Sequence, residues 1–95
     1  MAKEYYWESN DEIILNLANR FTKIRKRKNI TQKRLSDISG VSYASIKRFE
    51  QSGDISLYSL TKLCSAMNLQ EELNNMFSDV EYKSIQEIKN GNKIY

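Results

Sequence analysis

One spacing constrains this chain more than any other. An apolar residue precedes a hydroxyl residue, and a second apolar residue follows the hydroxyl by four positions: Ile30-Thr31 with Leu35, Val41-Ser42 with Ile46, and Ile55-Ser56 with Leu60. A hydroxyl that caps the first free backbone N–H groups, flanked by two apolar side chains that pack on each other, marks a helix start. The first two starts are eleven residues apart, and Gly40 stands just before the second. That interval holds one short helix and a tight turn, so the segment reads as helix, turn, helix.

The rest of the chain extends the helical pattern. It has no proline and three glycines in 95 residues, which suits one all-α domain with short connections. Ser9-Asn10-Asp11-Glu12 has capping-box spacing and opens a first helix that runs to about residue 28. Its stripe is Ile13, Leu17, Phe21 and Ile24, with Ile14 and Ala18 beside it, and Asn29 suits the position after its end. A second helix is expected over 32–39, burying Leu35 and Ile38, and a third over 43–51, burying Ile46 and Phe49. After a turn at Ser52-Gly53-Asp54, a fourth spans 57–67 with Leu60, Leu63, Cys64 and Met67 inward. A fifth spans 70–77, with Leu69, Leu73, Met76 and Phe77 on one side. The domain therefore occupies 9–77, between an arm at 1–8 that carries Tyr5, Tyr6 and Trp7 and a tail at 78–95. Val80, Tyr82, Ile85 and Ile88 in the tail suit a short helix or, at their start, a short strand.

Charge is concentrated. The net charge is +3, yet between Arg20 and Arg48 ten residues are basic and only Asp37 is acidic. A basic run can be a solvated helix face, but here it overlaps the paired helix starts, the footprint of a polyanion partner. Other chemistries find little support. There is no histidine to act as general base or ligand, and no metal-ligand spacing or phosphate-cradling glycine loop. Neither catalysis nor a cofactor or metal is expected. The single cysteine, Cys64, falls on the apolar face of the fourth helix and fits a reducing cytoplasm. No apolar run reaches membrane length, and Lys3, Glu4 and Glu8 interrupt any signal-peptide core.

The candidate chemistry is that of DNA recognition. With Ser42 capping the third helix and Ile46 and Phe49 facing inward, Tyr43, Ala44, Ser45, Lys47 and Arg48 are left to face outward. A helix enters the major groove by its first turn, so Tyr43, Ala44 and Ser45 meet base edges first. Arg48 is suited to bidentate contact with guanine, and Ala44 to a thymine methyl. The start of the second helix offers backbone N–H groups to a phosphate, with Gln32 and Lys33 as side-chain donors. Ser56 and Tyr58 offer a second phosphate site at the start of the fourth helix, although a capping role alone accounts for Ser56.

The run Ile24-Arg25, Thr31-Gln32-Lys33-Arg34-Leu35-Ser36, Gly40-Val41-Ser42, Ile46, Phe49-Glu50 and Gly53 resembles the helix-turn-helix of Cro/cI-type, Xre-like DNA-binding proteins over about residues 13–77. The resemblance implies a five-helix, lambda-repressor-like domain in which helices 2 and 3 form the motif. It places Gln32 on a phosphate-contacting position and Tyr43, Ala44, Ser45 and Arg48 on base-facing positions. It also places Arg25 and Glu50 on a salt bridge between helices 1 and 3. Ser36 departs from the alanine usual at the helix 2–helix 3 contact; serine is nearly as small, and the crossing should survive if its hydroxyl bonds back to a carbonyl.

These observations imply a sequence-specific duplex-DNA binder that regulates transcription, most simply as a repressor, in the bacterial cytoplasm on the nucleoid. One such module is weak against a genome of competing sites, which implies a homodimer on half-sites about 34 Å apart. The fifth helix, the tail and the aromatic arm are the candidate dimer surfaces, and the arm serves equally to pack on its own domain. A short domain with small flanks also resembles the antitoxin of a toxin–antitoxin pair, which represses its own operon and holds a toxin such as a HipA-type kinase. RNA association is a third class, because both nucleic acids are polyanions.

Overall fold

A computed structural model describes residues 8–78 and contains five helices and no strand among them. They are α1 (Asn10–Arg27), α2 (Gln32–Ser39), α3 (Tyr43–Ser52), α4 (Leu57–Ala66) and α5 (Gln70–Asn74). The fold is all-α and lambda-repressor-like. The arm and the tail lie, apart from Glu8 and Ser78, outside the described residues.

Local chemistry sets the first four helix starts. Ser9 and Glu12 form a reciprocal box, Glu12 N–H donating to Ser9 Oγ and Ser9 N–H to Glu12 Oε1. Thr31, Ser42 and Ser56 each accept from the backbone N–H three residues on, all at 3.0 Å. The ends are equally local. Gly40 and Gly53 close α2 and α3 in the left-handed conformation, and Asn29 and Asn68 take the same conformation just past α1 and α4.

The core is one cluster. Ala18 and Phe21 of α1, Leu35 of α2, Val41 of the turn, Ile46 and Phe49 of α3, and Leu60, Leu63, Cys64 and Met67 at α4 are all buried. Phe21 and Phe49 meet edge to face with centroids 5.2 Å apart, which locks α1 on α3. Gly53 tightens the same joint: a Cβ there would lie 3.0 Å from Ile14 Cγ1 and 3.1 Å from the Ile14 carbonyl oxygen.

Four expectations need correction. The first turns of α1 are not core: Ile13 is 48% exposed, and Ile14 and Leu17 are exposed as well. At 18 residues α1 is about 27 Å long, nearly twice the ten-residue α3 on which it packs. Ile38 is 42% exposed. Leu35, three residues earlier, takes the core position at 0% exposure, and Ile38 lies at the edge. Ser36 does not bond back along its helix, because its hydroxyl donates forward to the Val41 carbonyl at 2.7 Å. Finally, α5 stops at Asn74, not near residue 77. Leu69 provides no side-chain cap, and Phe77 is left-handed and 75% exposed.

Candidate nucleic-acid interface

The two helices of the motif are joined at both ends. At the turn, Gly40 N–H donates to Ser36 O, Val41 N–H to Ser39 Oγ, and Ser36 Oγ to Val41 O, so three bonds hold the turn that leads to α3 against the end of α2. At the other end the structure brings Arg25 and Glu50 together. Arg25 Nε donates to Glu50 Oε2 at 2.7 Å and Nη2 to Oε1 at 2.9 Å, with the two side chains only 8% and 5% exposed. Arg25 Nη1 reaches the Ile30 carbonyl at 2.7 Å, on the loop that leads into α2. One guanidinium thus ties α1 to both helices of the motif.

Gln32 Nε2 also donates to Glu50 Oε1, at 2.9 Å. Sequence reasoning assigned Gln32 outward and missed this bond. Its partner lies 18 residues away, so no local pattern signals it.

The first turn of α3 is bare. Tyr43, Ala44, Lys47 and Arg48 are exposed and Ser45 is half-buried, while Ile46 and Phe49 anchor the opposite side. Two details refine the surface. Ser42 Oγ donates to Ser45 Oγ at 2.8 Å, which fixes the Ser45 hydroxyl toward the cap. Lys47 Nζ lies 4.8 Å over the Tyr43 ring, so this ammonium stacks on its neighbour and steadies the phenol at the helix tip.

The flanking helix starts repeat the arrangement in part. At α2, Thr31 caps the Arg34 N–H, which leaves the N–H groups of Gln32 and Lys33 outside the helix's own ladder, and the Lys33 side chain is exposed. At α4, Ser56 caps the Ser59 N–H, and exposed Tyr58 carries Lys62 Nζ 5.0 Å over its ring. Lys26, Arg27, Lys28 and Arg34 are exposed too, so the basic run reaches solvent with Arg25 as the member turned inward. Leu57, beside Tyr58, is exposed as well; no sequence pattern marked it.

A separate groove of about 250 Å³ opens between α1, α4 and α5 and is lined chiefly by apolar side chains, among them Leu17, Phe21, Ile24, Leu60, Leu73 and Met76. Cys64 lies at its wall, where burial, aided by the Glu72 carboxylate, pushes the thiol pKa up. That is the opposite of an activated nucleophile. No described helix is long and apolar enough to cross a membrane.

No curated protein and no solved structure gives a match to this chain. A family model described as helix-turn-helix matches residues 22–74, from the last third of α1 to the last residue of α5, and so takes in the capped α2 and α3 with the turn between them. The chain belongs to the Xre/Cro/cI-type helix-turn-helix family of DNA-binding regulators.

Proposed function

We propose that this protein is a sequence-specific repressor that reads duplex DNA in the major groove with the first turn of α3. The bare α3 tip carries the reading: Tyr43, Ala44 and Arg48 reach solvent on a helix whose other face is locked in the core. Tyr43, Ala44, Ser45 and Arg48 contact bases, with Ser42 capping them and Lys47 steadying Tyr43. Gln32 and Lys33 at α2, and Ser56 and Tyr58 at α4, hold phosphates on either side and set the register. Arg25 and Glu50 keep the two helices of the motif in position.

The protein acts as a homodimer on two half-sites in the cytoplasm, on the nucleoid. Met76 and Phe77, exposed beside the α1–α4–α5 groove, supply apolar surface for the second copy. The same surface favours a second reading, in which the chain is an antitoxin that represses its own operon and holds a toxin on those residues. Stable co-purification with a toxin encoded by a neighbouring gene distinguishes that reading from one in which the chain associates only with itself and with DNA.

Salt-dependent binding tests the interface. Arg48→Ala should cost about 1–3 kcal/mol on the preferred duplex and little on unrelated DNA. Lys33→Ala should weaken every duplex alike and lower the salt slope by about one. Equal losses on all sequences for both variants would remove α3 as the reader.

A further inference from the structure

Glu50 receives more hydrogen bonds than its ion pair requires. Arg25 meets it with two nitrogens, and Gln32 Nε2 adds a third donor at 2.9 Å on Oε1. Gln32 is the first residue of α2, at the end of the helix where free N–H groups and the positive dipole end favour an anion. The amide that is to donate to a phosphate is therefore engaged before any DNA arrives. A primary amide nitrogen carries two hydrogens that point in different directions in one plane. Among the described residues, Gln32 Nε2 makes no second hydrogen bond.

We propose that Glu50, itself fixed by Arg25, is a positioning residue for the DNA contact of Gln32. It takes one Nε2 hydrogen and so turns the other outward, where it donates to a backbone phosphate at the start of α2. The proposal rests on the duplex-DNA reading above. An unrestrained glutamine must freeze its side-chain torsions when it binds; here the bond to Glu50 supplies part of that ordering in the free protein. The paired Arg25 is what makes a carboxylate tolerable so near a phosphate, because its guanidinium offsets the charge through a two-pronged contact. The hydrogen-bonded chain from Arg25 through Glu50 to Gln32 thus links the α1–α3 joint to the α2 phosphate site, and α3 and the phosphate donor keep a fixed relation when the protein docks.

The competing account is that Gln32 only fills a lone pair of Glu50 and serves the fold. A double-mutant cycle on DNA affinity separates the two. The full chain, Gln32→Ala, Glu50→Gln, the double variant and Arg48→Ala are titrated with a duplex selected from random DNA, at a temperature where circular dichroism shows each fully folded. Gln32→Ala should weaken binding about tenfold, the lower end of a hydrogen bond to a charged group. Glu50→Gln should weaken it severalfold, and the double variant should bind no worse than Gln32→Ala alone. Losses that multiply in the double variant, with Arg48→Ala weakened, overturn the positioning role and leave the DNA reading standing. A parent chain that binds no duplex, or an Arg48→Ala that binds as well as the parent, ends the DNA reading itself. Should Glu50→Gln not fold, the side-chain amide resonances of the unaltered protein answer the question. One of the two Gln32 Nε2 protons should lie well away from the positions seen for the exposed Gln51 pair in the free protein, and adding duplex should move the other proton far more. Equal movement of both, or a Gln32 pair at the same positions as that of exposed Gln51 in the free protein, overturns the proposal.

Discussion

The centre of the motif and the end at α5 are built to different standards. In the centre, α2 and α3 each begin on a hydroxyl cap, end on a left-handed glycine and bury Leu35, Ile46 and Phe49, and a buried guanidinium bonds α1 to α3 and to the loop that leads into α2. At the other end, α5 is five residues long, begins at an uncapped Leu69 and leads to Met76 and Phe77 in the open. The α2–α3 unit takes its geometry from its own sequence and needs no partner for it. The far end has apolar surface that no described residue covers, and large exposed apolar residues at one place on a small domain mark a contact surface. The division fits the proposed function, in which α3 arrives at DNA preformed and a second chain completes the surface at α5.

Substitutions can break that contrast. Arg25→Ala should be the most damaging, because it strands the Glu50 carboxylate, only 5% exposed as a side chain, and the Ile30 carbonyl together. We expect a loss of about 3 kcal/mol in urea unfolding, and a loss below about 1 kcal/mol would show that the clasp is not structural. Gly53→Ala comes next, at about 2 kcal/mol, since it combines a left-handed residue with a Cβ pressed on Ile14. Gly40→Ala is its internal control: the same conformation faces open space, so about 1 kcal/mol is expected and equal losses would remove the α1–Gly53 contact from the account. Ser42→Ala should cost about 1 kcal/mol by thermal denaturation. Phe77→Ser should change monomer stability by less than about 0.5 kcal/mol, yet reduce self-association in sedimentation if this end is the dimer surface.

The smallest effect probes the groove wall. The Cys64 thiol is pushed up in the folded state, so its stabilising contribution is complete below the thiol pKa of the unfolded chain. It is lost as pH rises from there toward the higher folded value, a window that opens near pH 9. Parent and Cys64→Ala stability curves should therefore converge above that pH, and parallel curves would show that the thiol is open to water.

Much of the fold could be read in the chain because its determinants are local. Thr31, Ser42 and Ser56 lie within three residues of the groups they cap, and Gly40, Gly53, Asn29 and Asn68 act at their own positions. What escaped the sequence depends on distance or on competition. The Gln32–Glu50 bond and the approach of Ile14 to Gly53 join residues far apart in sequence, and spacing rules carry no information on such pairs. Ile13, Ile38 and Phe77 follow helical periodicity, yet periodicity does not say which turns of a helix find a neighbour to pack on. The shape of the candidate site was legible to the same extent: the exposed turn at Tyr43 and Ala44 follows from the cap and the buried anchors, whereas the Lys47–Tyr43 stack depends on rotamers.

The most direct measurement is a selection from fully randomised duplex DNA, run in parallel with the parent chain, Arg48→Ala and Lys33→Ala. The account predicts a preferred half-site for the parent, repeated with two-fold symmetry at one helical turn, loss of information at one base pair for Arg48→Ala, and the parent's motif at lower yield for Lys33→Ala. A parent that enriches no sequence, or an Arg48→Ala that recovers the parent's motif unchanged at every position, would contradict it.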